Sequence, residues 1–209
     1  MKRFIYCFVY FIVMGISGTE LSVIDLIKRN KLGLFKVGDI VKLTGFKRQK
    51  VYNIFKGLNR KGLVIRLKAG KYVLADSAES DLKYFTTAFA PAYVSLWSAL
   101  AYHGLTEQVP QKIHLVSTRH QRPISQIELH IVGKNLFTGY ENYGFPIATI
   151  EKTIFDLLWF NQINLKTLEE ILKQVPINKS RLSGFIKRIS SHKKKTEMYN
   201  KFRKVDLVL

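Results

Sequence analysis

The chain has one cysteine, Cys7, in 209 residues. A single thiol excludes an internal disulfide framework and a zinc site built on cysteine pairs, and it fits a reducing compartment. Acidic residues are scarce: fifteen Asp and Glu stand against thirty-four Lys and Arg, a formal charge of +19. Membrane-length apolar runs are missing too. The unbroken run from Phe4 to Met14 is far short of the roughly twenty residues a spanning helix needs. The chain contains no Gly-rich phosphate loop, no His-Glu-x-x-His and no nucleophile elbow, which excludes the common signatures of nucleotide-binding and hydrolytic enzymes.

What is present is positive charge, and it comes in blocks. Residues 1–76 carry sixteen basic and four acidic side chains, residues 77–160 six and seven, and residues 161–209 twelve and four. Two basic ends therefore flank a neutral middle. Counterion release from phosphates makes a polyanion the natural partner of such ends. Hydrophobic residues at 47% argue against disorder.

Residues 1–19 form an apolar N-terminal extension, two basic residues followed by the run to Met14. It reads as a signal peptide with small residues at Gly15, Ser17 and Gly18, or as a short buried helix or strand. Translation starting at Met14, with residues 1–13 absent from the mature protein, is a further reading. Export conflicts with the DNA-binding pattern that follows, so the expected location is cytoplasmic, with no membrane partner.

From Glu20 the pattern becomes helical. Leu21, Ile24, Leu26 and Ile27 form a first apolar stripe. Val37, Ile40 and Val41 mark a short second helix closed at Thr44-Gly45. A third helix is predicted over Lys47 to Gly62, with Val51, Ile54, Phe55 and Leu58 at i, i+3, i+4 and i+7. Steps of about 100° place Gln49, Asn53, Lys56 and Arg60 together on its opposite face. Lys47, Arg48, Lys50 and Tyr52 sit at its start and flanks. "LVIRLKAGKYVLA" then reads as two strands joined at Ala69-Gly70, with Arg66, Lys68 and Lys71 around the tip. Three helices and a basic hairpin predict a winged helix-turn-helix over residues 20–76 that binds double-stranded DNA. Gln and Asn can pair with adenine edges and Lys or Arg with guanine, while hairpin cations hold phosphate.

Residues 76–81, "DSAESD", read as a linker. Beyond it, Tyr93, Leu96, Trp97 and Leu100 recur at helical spacing, and Gly104 is placed to end that helix. His103 there is expected to tie off the helix end on a free carbonyl. "KIHLVST" and "IELHIVG" read as strands, and "FPIATIEKTIFDLL" as a strand entering a helix capped by Thr149. Glu151 in that first turn suits the helix dipole, and Ile150, Ile154, Phe155, Leu157 and Leu158 form the expected buried side.

Tyr93, Ser95, Trp97, Ser98, Ala99, Leu100, His103, Gly104, Leu105 and Thr106, followed by Glu107, Gln108 and Pro110, form one phrase; Thr149, Ile150, Glu151, Lys152 and Asp156 form a second. Through these residues the chain resembles the AbiEi-type antitoxins of type IV toxin–antitoxin (abortive infection) systems. The resemblance runs over about residues 21–190, and Ile150 departs from it where proline is frequent. It implies a transcriptional autoregulator that binds operator repeats upstream of its own operon. It also implies a cognate nucleotidyltransferase-like toxin that the chain counteracts, with or without direct contact. On this reading Trp97, His103, Gly104, Thr106, Arg119, Glu151, Lys152 and Asp156 are structural or partner-binding residues.

For catalysis, His103, Glu107, Arg119, His120, Glu151, Lys152 and Asp156 are the candidates. Glu151, Lys152 and Asp156 are better suited to capping and pairing across a domain interface. A magnesium-dependent nucleotidyl-transfer remnant would want clustered carboxylates, and the middle region has few. The spacing of His114, His120 and His130 matches no common metal motif. The expectation is a non-enzyme with no cofactor and no metal. In "KRISSHKKKTEMYNKFRKV", Met198 and Phe202 are four apart, so one face of a terminal helix could dock while Lys193 to Lys195 meet a polyanion.

The expected architecture is α+β: the winged helix-turn-helix, an antitoxin-like core over 82–160 with a small β-sheet and several helices, and a basic helical C-terminal segment over 161–209. Rival readings are a stand-alone winged-helix repressor with a ligand-sensing middle domain and a nucleic-acid-processing enzyme that merely carries a winged helix.

Overall fold

The computed structural model describes residues 15–76 and 81–205. The run from Phe4 to Met14 and the centre of the linker lie outside the described residues. The chain is mixed α and β and divides into two compact units, Met1–Tyr84 and Phe85–Leu209. Among the described residues no helix is long and apolar enough to cross a membrane.

In the first unit, α1 (Gly18–Arg29) starts on a reciprocal cap. The Glu20 amide donates to Ser17 Oγ at 3.2 Å, and the Ser17 amide donates to the Glu20 carboxylate at 2.8 Å. Two helix-end donors are thereby satisfied. Ser17 and Gly18 thus belong to the helix rather than to an apolar extension ending at residue 19. The buried face is Glu20, Val23, Ile24 and Ile27, whereas Leu21 and Leu26 are only half-buried. The expected stripe was rotated by its two leucines.

Helix α2 (Val37–Thr44) ends at Gly45, whose φ of 68° is left-handed and suits a residue without Cβ. Phe46 and Lys47 complete the turn into α3 (Arg48–Arg60). Val51, Phe55 and Leu58 are fully buried and Ile54 nearly so, as the periodicity predicts. Strands β1 (Val64–Lys68) and β2 (Lys71–Leu74) pair antiparallel around Ala69-Gly70. Phe35 joins them through a bridge to Tyr72, and Phe35, Phe55 and Tyr72 form an aromatic cluster within the core.

Helix α4 (Asp81–Ala88) leads into the second unit. There β3 (Ala92–Val94), α5 (Leu96–Tyr102), β4 (Ile113–Ser117), β5 (Ile127–Ile131), β6 (Tyr140–Asn142) and β7 (Pro146–Ala148) build a five-stranded sheet in the order β5-β4-β3-β7-β6. The β4–β5 and β3–β7 pairs are parallel; β3–β4 and β6–β7 are antiparallel. Tyr93 is a strand residue, not the first residue of a helical stripe. Its neighbours are apolar on both sides because β3 is central and covered on both faces, a pattern that periodicity alone does not distinguish from a buried helix.

Helix α6 (Ile150–Trp159) is capped by Thr149, which accepts from the Lys152 amide at 3.3 Å. All residues from Glu151 to Leu158 are buried, so α6 is a central helix rather than a one-sided amphipathic one. Helices α7 (Leu165–Leu172), α8 (Lys179–Lys187) and α9 (His192–Arg203) follow, each capped by an Asn or Ser side chain. Met198 and Phe202 are buried on α9, the docked face expected of the tail.

Candidate nucleic-acid interface

Helix α3 turns its apolar side inward, which leaves Arg48, Gln49, Lys50, Tyr52, Asn53, Lys56 and Arg60 exposed. Gln49 Nε2 donates to Asn53 Oδ1 at 3.2 Å, one turn apart, so the two amides form a single polar element on the helix. Lys50 Nζ lies 3.8 Å from the centroid of the Phe46 ring, which holds this cation beside the inter-helix turn. Lys47 occupies the N-cap of α3, where Ser, Thr, Asp or Asn is usual, and the first turn carries no acidic residue. The positive end of the helix dipole is thus surrounded by further positive charge.

The hairpin is fixed to this helix. Asn59 Oδ1 accepts from the Arg66 amide at 3.2 Å. Between helix and hairpin lies a cleft of about 590 Å³ lined by Lys36, Lys42, Arg48, Tyr52, Arg66 and Lys71. Burial holds Lys71 below the usual lysine range, and the charges of Lys68 and Lys36 push it further down. Lys36 at the N-cap of α2 and Lys42 within it were absent from the expected contact set. Their signal was faint: two lysines at and within a helix known only from its apolar spacing.

Helix α3 can approach α1 closely because residue 57 is glycine. A Cβ there would stand 2.6 Å from Glu20 Oε1. That carboxylate is paired with Lys61 Nζ at 2.6 Å.

The second unit contains the residues of the two family-like phrases. Tyr93 Oη, Ser95 Oγ and Lys152 Nζ all donate to the Asp156 carboxylate, at 3.0, 2.8 and 2.7 Å. All four side chains are fully buried. Burial pushes the Lys152 ammonium down, and Asp156 opposes that shift. Burial, then the Asp156 charge, holds the Tyr93 phenol well above its ordinary value. Lys152 and Asp156 therefore pair inside the core of this unit, not across an interface. Neither side chain is exposed to solvent. Glu151 instead accepts from the Asn178 amide at 3.3 Å.

His103 stands at the C-cap of α5 and donates from Nε2 to the Ala148 carbonyl, at 2.8 Å. The carbonyl belongs to β7, so His103 joins helix to sheet rather than tying off its own helix. Gly104 is left-handed, with φ of 70°. Trp97 is half-buried, and its indole donates to the Gln162 carbonyl at 3.1 Å. Thr106 Oγ1 accepts from the Gln108 amide, and Arg119 and His120 are exposed. Unlike the Asp156 network, His103, Thr106 and Arg119 do not converge on one site.

The sheet does assemble one group the linear spacing concealed. His114 and Glu128 are register partners across β4 and β5, and His130 lies two residues farther on. Burial pushes both imidazoles below their ordinary range, with Glu128 opposing.

No family model matches the chain, and no curated protein matches it. Among solved structures, the crystal structure of the RV2827C protein from Mycobacterium tuberculosis is similar. It is 14% identical, with a TM-score of 0.50 over 88% of this chain and 81% of that one. The likeness is one of fold.

Proposed function

We propose that the chain is a DNA-binding transcriptional regulator whose residues 18–74 form a winged helix-turn-helix. The observation that carries this reading is the exposed face of α3, which carries Gln49, Asn53, Lys56 and Arg60, on a helix whose Arg48 and Tyr52 share a cleft with Arg66 and Lys71 of the hairpin. Amide and cationic side chains on a helix suit base edges in a major groove, and flanking cations suit the phosphates beside it. The net charge of +19 adds the non-specific attraction such a protein needs.

The resemblance to the AbiEi-type antitoxins supplies the biological setting. The chain represses its own operon from upstream repeats in the cytoplasm and counteracts a nucleotidyltransferase-like toxin. Footprinting of the upstream region tests the first claim: paired repeats protected by the wild type should lose protection with Asn53→Ala and Lys56→Ala, and an unprotected region overturns it. Co-expression with the neighbouring gene tests the second, since an antitoxin restores growth that the toxin arrests.

One observation favours a second reading, a stand-alone repressor with a ligand-sensing second unit. A cavity of about 450 Å³ opens there between Trp97, the loop through Gln108 and Pro110, and the end of β4. Operator binding with no rescue of growth would select it.

A further inference from the structure

His114 Nδ1 lies 3.3 Å from His130 Nε2, and the same His130 nitrogen lies 3.4 Å from Glu128 Oε1. Ligand atoms of all three residues fall within 4.8 Å of one another. An imidazole nitrogen carries at most one proton. If His130 Nε2 holds that proton, it can be directed at His114 or at Glu128, not fully at both. If His114 Nδ1 holds it instead, the bare His130 nitrogen faces a carboxylate. Hydrogen bonding therefore leaves this trio with one contact poorly satisfied in either tautomer.

A metal ion satisfies all three lone pairs. In a tetrahedral centre with bonds of about 2.05 Å, neighbouring ligand atoms stand roughly 3.3 Å apart. Two of the three separations, both at His130 Nε2, are close to that spacing, and the third lies within 4.8 Å. We propose that His114, Glu128 and His130 form a binding site for a divalent transition-metal ion, with zinc the best fit to the donor set. Two imidazoles and one carboxylate suit zinc, cobalt or nickel and do not suit magnesium or calcium, which take oxygen ligands.

The backbone preorganises the site. Parallel pairing sets His114 opposite Glu128, and the two-residue strand period puts His130 on the same face as Glu128. The two imidazole rings stack at 14° with centroids 5.6 Å apart, and His130 also packs on Phe160 at 4.7 Å. The rings are thus held by packing, as ligands of a preformed site must be.

The remaining coordination position opens outward. His114 and Glu128 line the 450 Å³ cavity together with Trp97, Gln108 and Lys112; His114 and His130 are both buried. Three protein ligands and an open fourth position allow water or an anionic ligand to complete the sphere. A carboxylate and two neutral imidazoles leave a divalent ion with one net positive charge. The exposed Lys112 ammonium beside it favours an anion in the same cavity.

The test uses the full chain, freed of metal, titrated with Co²⁺ and then Zn²⁺. One equivalent of Co²⁺ should produce visible d–d absorption that one equivalent of Zn²⁺ abolishes, and Zn²⁺ should raise the unfolding temperature. His114→Gln and His130→Gln should lose the absorption, and the exposed His120→Gln should keep it. Glu128 is half-exposed, so Glu128→Gln should fold normally and bind Zn²⁺ more than about tenfold more weakly. Failure of the wild type to bind one equivalent overturns the site. So does unchanged Zn²⁺ affinity in Glu128→Gln, a result that remains readable if a buried histidine variant fails to fold.

Discussion

Ser95 Oγ donates to Asp156 Oδ2 at 2.8 Å across 61 residues of sequence. This bond joins the two phrases through which the chain resembles a family: Tyr93 and Ser95 come from one, Lys152 and Asp156 from the other. They meet inside the second unit as one closed network around a single carboxylate. These four residues of the two phrases therefore act as a core-locking device.

Removing Asp156 strands the Lys152 ammonium in a fully buried site. Asp156→Ala should cost about 3–5 kcal/mol of stability, whereas a Lys152→Met, Asp156→Leu pair should cost less, because no charge is left unpaired and only the Tyr93 and Ser95 hydroxyls lose their acceptor. Denaturant unfolding of the two variants checks this. Equal losses would show that the ion pair is not the source of the penalty.

Glu20 links stability to pH in the first unit. Its burial raises the carboxyl, but bonds from Lys61 and Ser17 outweigh that and leave it below its ordinary 4.5. A depressed carboxyl contributes stability that is complete above the unfolded value of 4.5 and fades as pH falls through the lower folded value. The first unit should lose stability on acidification below about 4.5, and Glu20→Gln should flatten that part of the curve. Unfolding temperatures followed from neutral to acidic pH measure the difference.

On α3, contacts of two kinds should separate by their salt response. Lys56→Ala and Arg60→Ala should weaken binding to any DNA and lower the salt slope by about one each. Asn53→Ala should cost about 1–3 kcal/mol on the operator and leave non-specific binding intact. Titrations at several salt concentrations resolve the two behaviours. An unchanged operator-to-random ratio in Asn53→Ala would remove this residue from base reading.

The basic tail calls for point changes rather than deletion. Met198 and Phe202 are buried, so removing residues 191–209 should unfold part of the second unit, with Phe202→Ala alone costing about 3–5 kcal/mol. Lys193 and Lys194 are exposed, and Lys194 Nζ lies 5.1 Å from the Trp159 ring. Replacing Lys193, Lys194 and Lys195 with Ala should preserve the unfolding midpoint. If the tail touches DNA, the salt slope then falls by up to about three.

Local patterning determined much of the first unit. The 3.6-residue repeat of Val51, Ile54, Phe55 and Leu58 sets which face of α3 is buried, and therefore which face carries Asn53 and Lys56. Gly45 and Gly70 mark turns because their left-handed φ values, 68° and 75°, disfavour other residues. Charge segregation needs no fold at all. Contacts set by short-range spacing are readable in one dimension.

Long-range pairing decided the rest. Tyr93 read as helical because a covered central strand shows no alternation, and its partners Lys152 and Asp156 lie some sixty residues away. Lys36 and Lys42 joined the basic cleft only when the hairpin folded back beside α3. His114, Glu128 and His130 show no metal spacing along the chain; the parallel register of β4 and β5 alone brings their ligand atoms together. By itself the sequence determined the amphipathic helices, the turns and the charged surfaces, since these follow from neighbours within one or two turns. The buried network, the cleft and the histidine–glutamate cluster were decided by tertiary structure, because each is made by strands or helices whose partner the chain does not name.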